Sequence, residues 1–504
     1  MSFLSNFFVG LKSIIVSILL TISLIPNLYK FKLIKFKLLK ILTLNNFVYY
    51  ILIPGILLIS SSDINFHYDA AYYHLNHQNW LRESNLIIGM VNIFWPFGMS
   101  SIYEYISSLF WFKDSLIYLH FISLVFFHFF FSFLYYQIFQ SNNKALKNAS
   151  FFIIIYSFLD NFGVGGGRNG FLYIQEVGKQ DTAVAILICF VSLILINYII
   201  RGIISQIDFI YLTLISFFIF QLKVSGVFIF YSYFILVMLL IREKKYKIKN
   251  ILFLQLPTII FGALWTLKSF LTTNCFIFPL TMTCLKNLSW YEPGSTKKIE
   301  EYTTNTSFAY MEYFLDPNRS FMNWFNDFFN SGSVFSAYYQ GVYLNFLFSI
   351  TFIYFFKKIF FSNLKQNNKT NLIIFSYIAF AISYLVFYGP IPRYSIGILC
   401  TIVGLIGFYV NSNKIQISKN ILLAFFLISL SLVPRINSYT SFIKNTSYSL
   451  FDPRIEAQHN DINNLENWYK PESGDRCWIN LNCTMEEKNI IVDKKGFFKI
   501  AYKK

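Results

Sequence analysis

Charge is scarce in this chain: 13% of its 504 residues are Asp, Glu, Lys or Arg, 55% are hydrophobic, and the mean hydropathy is +0.50. A soluble globular domain does not carry so little charge on so much apolar surface, which excludes that class. No Gly-rich loop ends in Lys-Ser or Lys-Thr, so the phosphate cradle of nucleotide-binding folds is missing, and no Cys/His cluster has zinc spacing. No long Pro, Gly or Ser linker separates the apolar blocks, so they read as one membrane domain with a short tail. Acids are fewer than bases, 25 against 42, giving a net charge of +17. A nucleic-acid binder gathers such excess on one exposed face, whereas here Lys and Arg punctuate apolar runs and report topology. The 61 Phe, with abundant Ile, Asn and Lys, fit an AT-rich coding bias, so single residues of these types carry little weight.

What is present is a series of apolar stretches long enough to cross a hydrocarbon core of roughly 30 Å. They lie near 7–27, 41–61, 116–139, 181–200, 224–241, 251–270, 337–356, 372–388, 394–410 and 421–434, with shorter runs at 149–160 and 207–222. The expected fold is an all-α polytopic bundle of about 11–12 spans, comprising a membrane segment and basic loop over 1–40, a core over 41–434 and a tail over 435–504. Basic residues flanking a span stay on the cytoplasmic side. The lysines from 30 to 40, Lys144 and Lys147, the cluster from Arg242 to Lys249, Lys357 to Lys369, and Lys414 with Lys419 all fall on one side if both short runs span. That places 62–115, 161–180, 271–336, 389–393, the tail and Met1 on the outer face. Long outer loops and short basic inner ones suggest chemistry at the outer surface, and no internal repeat of the transporter kind is visible.

The first outer loop holds the densest polar run, from His67 to Glu83. On a regular helix Asp69, Tyr73, Asn76, Trp80 and Glu83 share one face, while His74 and His77 diverge from it. Sugar transfer from a phosphate to a hydroxyl needs a base near the attacking oxygen and cations for the departing phosphate. Asp69 fits the base; the alternative is that it caps an interfacial helix inside an aromatic belt. His67, His74 and His77 lack a further ligand to complete a metal set, and His74 or His77 suits orienting a substrate or sharing the acid–base task. Asp181 opens an apolar helix, where the helix N-terminus favours negative charge in either a structural or a catalytic role. Lys223 and Lys268 sit near outer helix ends, where lysines also snorkel without function. Arg393 follows Gly389-Pro-Ile-Pro392, and two prolines fix an arginine suited to gripping a phosphate. The Gly163–Gly170 run reads as a flexible outer loop. Cys189 and Cys400 lie in apolar spans, whereas Cys275, Cys284, Cys477 and Cys483 all fall in outer segments open to an oxidising compartment.

On these residues the chain resembles the GT-C class of polytopic glycosyltransferases, which includes the protein mannosyltransferases and the lipid A arabinosyltransferases. Asp69 and Tyr73 match that class's first-loop Asp-x-x-x-Tyr context, while Ala70 stands where the commoner Asp-Glu pair has its second acid and so removes one ligand for a divalent metal. More narrowly the chain looks like uncharacterised bacterial GT-C-like membrane proteins associated with surface polysaccharide. The shared residues are Asp69 to Trp80, Gly89, Asn92, Gly98, Asp181, Lys223 to Ser225, Trp265 to Lys268, Pro392 to Tyr394 and the Cys477/Cys483 segment. The resemblance spans most of 41–490. It implies an inverting transferase of the bacterial cytoplasmic membrane, its active face outward. The donor is a polyprenyl-phosphate sugar; no nucleotide cofactor and no nucleic acid take part. Asp69 is then the general base, Tyr73, His74, His77 and Asp181 support the acceptor side, and Arg393 with Lys223 or Lys268 holds the phosphate. The resemblance also implies a Cys477–Cys483 disulfide; a Cys275–Cys284 bridge is a further expectation. The rival expectations are an O-antigen-type polymerase or ligase and a flippase or transporter.

Overall fold

The computed structural model describes residues 2–33, 43–62, 66–111, 116, 118–161, 180–243, 246–288, 290, 293–308, 326, 334–360, 362–363, 368–388, 392–411, 418–444, 459–461, 468–471, 474–486 and 490–503. The Gly163–Gly170 loop, the lysines from 35 to 40, Lys414 and Gly389 to Ile391 lie outside the described residues. The chain is an integral membrane protein of the all-α class, because a backbone in lipid must satisfy its own polar groups and helices do so locally. Among the described residues seven helices are long and apolar enough to cross a membrane, or eight if Lys419–Ser431 and Ile436–Lys444, bent by 72°, form one span. The expected count of 11–12 is larger. The stretches at 41–61 and 207–222 are helical but shorter, Leu44–Ile59 and Gln206–Leu222, and the run at 149–160 extends to Lys144–Asn161.

Asp181–Arg201 is the central helix, with 78% of its apolar window buried, whereas Ile248–Thr273 has 11% and faces outward. Pro392–Ile406 packs alongside the central helix, and glycine makes the approach close. A Cβ on Gly397 would stand 2.5 Å from the Ala185 carbonyl oxygen, and one on Gly404 would stand 3.0 Å from the Leu193 side chain. Contacts at 185 with 397 and at 193 with 404 mean that the two helices run in the same direction. Gly397 and Ala185 each lie one turn below Arg393 and Asp181, so the packing brings those two charges to the same level. Gly397→Leu must push the helices apart, and we expect it to destabilise the purified protein by about 1–3 kcal/mol, read as a lower midpoint of thermal unfolding in detergent.

The bundle has two chemically different ends. At one, Asn143 bonds Asn197 at 3.1 Å, Asn148 bonds the Val410 carbonyl at 3.0 Å, Lys369 meets Glu243 at 2.8 Å, and Ser362–Asn363 pairs with Val410–Asn411. These are the segments expected on the basic side. At the other end the first loop, the described part of 271–308 and the tail form one layer. Leu11 N–H donates to the Leu81 carbonyl at 2.9 Å, Gly89 N–H to Leu271 at 2.8 Å, and Trp478 N–H to Ala71 at 2.9 Å. The hairpin Ile490–Lys495 with Phe498–Lys503 lies on Ile88, whose N–H and C=O both bond it. Gly89 permits this contact, having φ of 69° and the Ala501 oxygen 2.3 Å from where a Cβ would be. Residues 2–13, expected only to enter the membrane, are built into this layer, with Lys12 paired to Glu83 at 2.9 Å.

Candidate functional site

The first loop opens with a helix, but not a regular one. Ala70–His74 is a π-turn leading into the α-helix Leu75–Glu83. The wider turn rotates everything after His74 relative to Asp69, so the single polar face expected from regular spacing divides. Asn76 and Asn79 donate to the tail carbonyls of Asn480 and Ile479, the latter at 2.8 Å. Trp80 stacks on Trp468 with ring centroids 6.3 Å apart, and Glu83 turns to Lys12. His74 and His77, expected to diverge from the Asp69 face, come together on Glu104, a residue of the Ile102–Ser107 helix that sequence reasoning did not select.

Asp69 makes no cap hydrogen bond to its helix, which removes the capping alternative. Its side chain is 31% exposed and its Oδ2 lies 3.3 Å from His67 Nδ1. The same nitrogen is 3.0 Å from the Asp69 backbone N–H, so a neutral His67 accepts from the backbone and a protonated one donates to the carboxylate. Burial pushes the Asp69 carboxyl up, but the hydrogen bond and charge of His67, then the charges of His74 and Arg393, outweigh it and hold the acid well below the usual carboxylate range. Tyr73 marks where the site converges. Its phenol is raised well above its ordinary value, first by burial, then by the carboxylates of Asp69 and Glu104, with Arg393 opposing and Asp181 adding a smaller push.

Three separate elements bring the remaining charges to this place. Asp181 is the first residue of the central helix, and Lys223 ends Gln206–Leu222 in an extended conformation before the chain resumes at Val224. The Lys223 ammonium bonds the Asp181 carboxylate and sits 4.3 Å from the Tyr394 ring centroid. Arg393 follows the helix-opening Pro392 and donates to the Tyr394 hydroxyl at 3.2 Å. Asp69, Tyr73, Asp181, Lys223 and Arg393 thus form one neighbourhood at one end of the bundle.

Lys268 is not part of it. Its ammonium is buried against Ser100, bonding both the hydroxyl and the carbonyl, and lies 4.6 Å from the Trp265 ring. It supports the first loop from behind, on the Glu104 side. Cys477–Cys483 is bridged, as is Cys275–Cys284, and both lie in the layer that carries the site. Cys189 and Cys400 are buried as free thiols. At the rim, Tyr68 bonds Asp475 and stacks on Tyr72, with the Arg476 guanidinium 5.0 Å away. No group of three His, Cys, Asp or Glu side chains among the described residues is placed to hold a metal ion.

Glu104 left one signal in the sequence, Ser101-x-x-Glu104 ahead of an apolar run. That is a capping box, and the structure forms it, with Ser101 N–H donating to Glu104 Oε2 at 3.1 Å. Nothing in that motif announces the two histidines that come to it from a distant turn.

Residues 1–400 match the model of a family described as "Domain of unknown function (DUF8201)", and the chain belongs to that family. No curated protein and no solved structure matches it.

Proposed function

We propose that this member of a family without an assigned activity is a membrane glycosyltransferase that takes a sugar from a polyprenyl-phosphate carrier and passes it to a hydroxyl acceptor outside the cytoplasm, in surface polysaccharide synthesis. One observation carries the reading. A carboxylate held ionised, Asp69, shares a neighbourhood with the guanidinium of Arg393 at the disulfide-bearing end of a membrane bundle. Disulfides persist in oxidising compartments, and the basic loops lie at the opposite end, so both features support an outward-facing site.

The chemistry follows from charge placement. The acceptor oxygen attacks the anomeric carbon of the sugar as its proton passes to the Asp69 carboxylate. The bond from that carbon to the phosphate oxygen breaks, and its electron pair leaves with the phosphate. Arg393 and Lys223 neutralise the departing anion, and Asp181 holds Lys223 in place. Inversion at the anomeric carbon is what a single displacement gives. The proton then leaves the partly exposed Asp69 carboxyl to water. Among the described residues no group of three His, Cys, Asp or Glu side chains is placed to hold a divalent metal, and no step here uses one.

The test is transfer in proteoliposomes, with native lipid-linked sugars as donor, reading release of polyprenyl phosphate by the wild type and by Asp69→Asn. Equal release by both would overturn the reading. A second prediction concerns pH. Because the Asp69 carboxyl is held below its usual range, the wild-type rate stays level as pH falls from about 7 to about 5, and the acid limb lies lower still. In His67→Gln the main stabilising partner is gone and the limb moves to higher pH.

The flippase alternative has one observation in its favour. Asp160, buried in the bundle, accepts from Asn345 at 2.9 Å, and buried intramembrane acids often mark a transport path. That reading predicts that Asp160→Asn stops export of the lipid-linked glycan while Asp69→Asn does not.

A further inference from the structure

Behind the exposed part of the site lies a charged cluster that the displacement itself does not use. Glu104 is 2% exposed, yet each of its carboxylate oxygens has a histidine partner: His74 Nδ1 stands 2.6 Å from Oε1 and His77 Nδ1 stands 2.8 Å from Oε2. Oε2 also receives the Ser101 N–H. Burial alone pushes the Glu104 carboxyl up, but the charge of His77, then the hydrogen bond and charge of His74, outweigh it, and the acid lies below its usual range. An ionised carboxylate accepts only, so His74 presents an N–H to it from Nδ1, while His77 Nδ1, 2.8 Å from Oε2, meets it as a close charge contact outside hydrogen-bond geometry. Lys268 is also buried, close enough to feel the Glu104 charge.

The two histidines come from different helical geometries, His74 from the π-turn and His77 from the α-helix. Holding both on one carboxylate fixes the helix from His74 to His77, and His74 is the last residue of the π-turn, next to Tyr73. The His74 ring lies 4.0 Å from the Tyr73 ring, and its charge reaches Asp69. A merely structural ion cluster would not need this placement, since an apolar core of equal volume stabilises at least as well.

We infer that Glu104 is a positioning residue of the transfer site. Through the Nδ1 atoms of His74 and His77 it holds the π-turn in the form that aims Tyr73 and Asp69 at the acceptor. The inference rests on the transferase reading and adds to it a residue that touches neither substrate.

The test uses the full-length protein in proteoliposomes with three variants, Glu104→Gln, Glu104→Asp and Asp69→Asn. Glu104→Gln keeps the volume but has no negative charge to hold the two imidazoles. It is expected to lower kcat about 10–100-fold, the cost of a reacting group displaced by a fraction of an ångström to one ångström, with KM for the donor unchanged. The acid limb of its pH–rate profile moves to higher pH, because the displaced His74 no longer helps to keep Asp69 ionised. The groups facing Glu104 in that titration are His74, His77 and Tyr73 from the first helix, Lys268 from Ile248–Thr273, and Tyr103 and Tyr105 beside it; of these only His74 adds charge directly to Asp69. Glu104→Asp recovers part of the rate and the wild-type limb. If Glu104→Gln lowers the thermal midpoint but keeps wild-type kcat and pH profile per folded molecule, the positioning role is wrong. If Asp69→Asn retains full transfer, the transferase reading itself fails, whatever Glu104 does.

Discussion

Asparagine at position 69 should abolish almost all sugar transfer, lowering the rate about 10²–10⁴-fold, while the protein folds, inserts and binds donor lipid as the wild type does. The substitution is isosteric and removes only the ability to accept a proton. Asp69 makes no capping bond to its helix, so no backbone group loses a partner when the charge goes. The nearest partner, His67, still finds an amide oxygen within reach. In cells lacking the native gene, wild type restores the surface glycan and Asp69→Asn does not, at equal protein level. In vitro the loss falls on kcat, because the proton moves only in the transition state. A parallel fall in the thermal midpoint would instead point to a folding role and count against the proposal.

The second large effect is expected at Arg393. Arg393→Ala removes the guanidinium proposed to hold the phosphate and should weaken binding of polyprenyl phosphate about 10–100-fold, the usual range for losing a charge-assisted contact in a partly buried site. It also removes a charge that keeps Asp69 ionised, so the acid limb of the remaining activity moves to higher pH. Arg393→Lys recovers the charge but not the two-pronged geometry, and recovers binding only in part. Lys223→Ala should cost less, because the Lys223 ammonium is already paired with Asp181. Binding of synthetic polyprenyl phosphate to the purified variants, followed by native mass spectrometry, ranks the three. Equal affinity across wild type, Arg393→Ala and Lys223→Ala would remove the phosphate site from this end of the molecule.

The membrane class was legible because lipid imposes a simple rule on sequence: a span needs length and apolarity, and its basic flanks stay together. The same rule foresaw that the first loop, residues 271–308 and the tail share one end. Asp69 and Arg393 stood out as candidates because each sits in a short stretch of unusual sequence, a polar run beside an apolar stretch and a pair of prolines. What spacing did not reveal was the π-turn at Ala70–His74, since a wide turn differs from an α-turn by one hydrogen bond and has no compositional mark. His74 and His77, three residues apart, share a face of the helix, but that this face meets Glu104 is set by tertiary packing. Glu104 and Lys268 illustrate the same limit from the other side. One reads as a helix cap and the other as a snorkelling lysine, and their roles come from partners that tertiary packing supplies.

The bonds from helix Leu75–Glu83 to the tail set an order of assembly. Asn79 finds the Ile479 carbonyl 400 residues further along the chain, and Ala71 waits as long for Trp478. During synthesis the helix bearing the proposed base emerges early, with these polar groups unmatched, and every later span must be threaded before the matching strand arrives. A ribosome halted before residue 468 would leave a membrane-inserted bundle whose outer layer is still open, so this end matures only after the spans before it are in place.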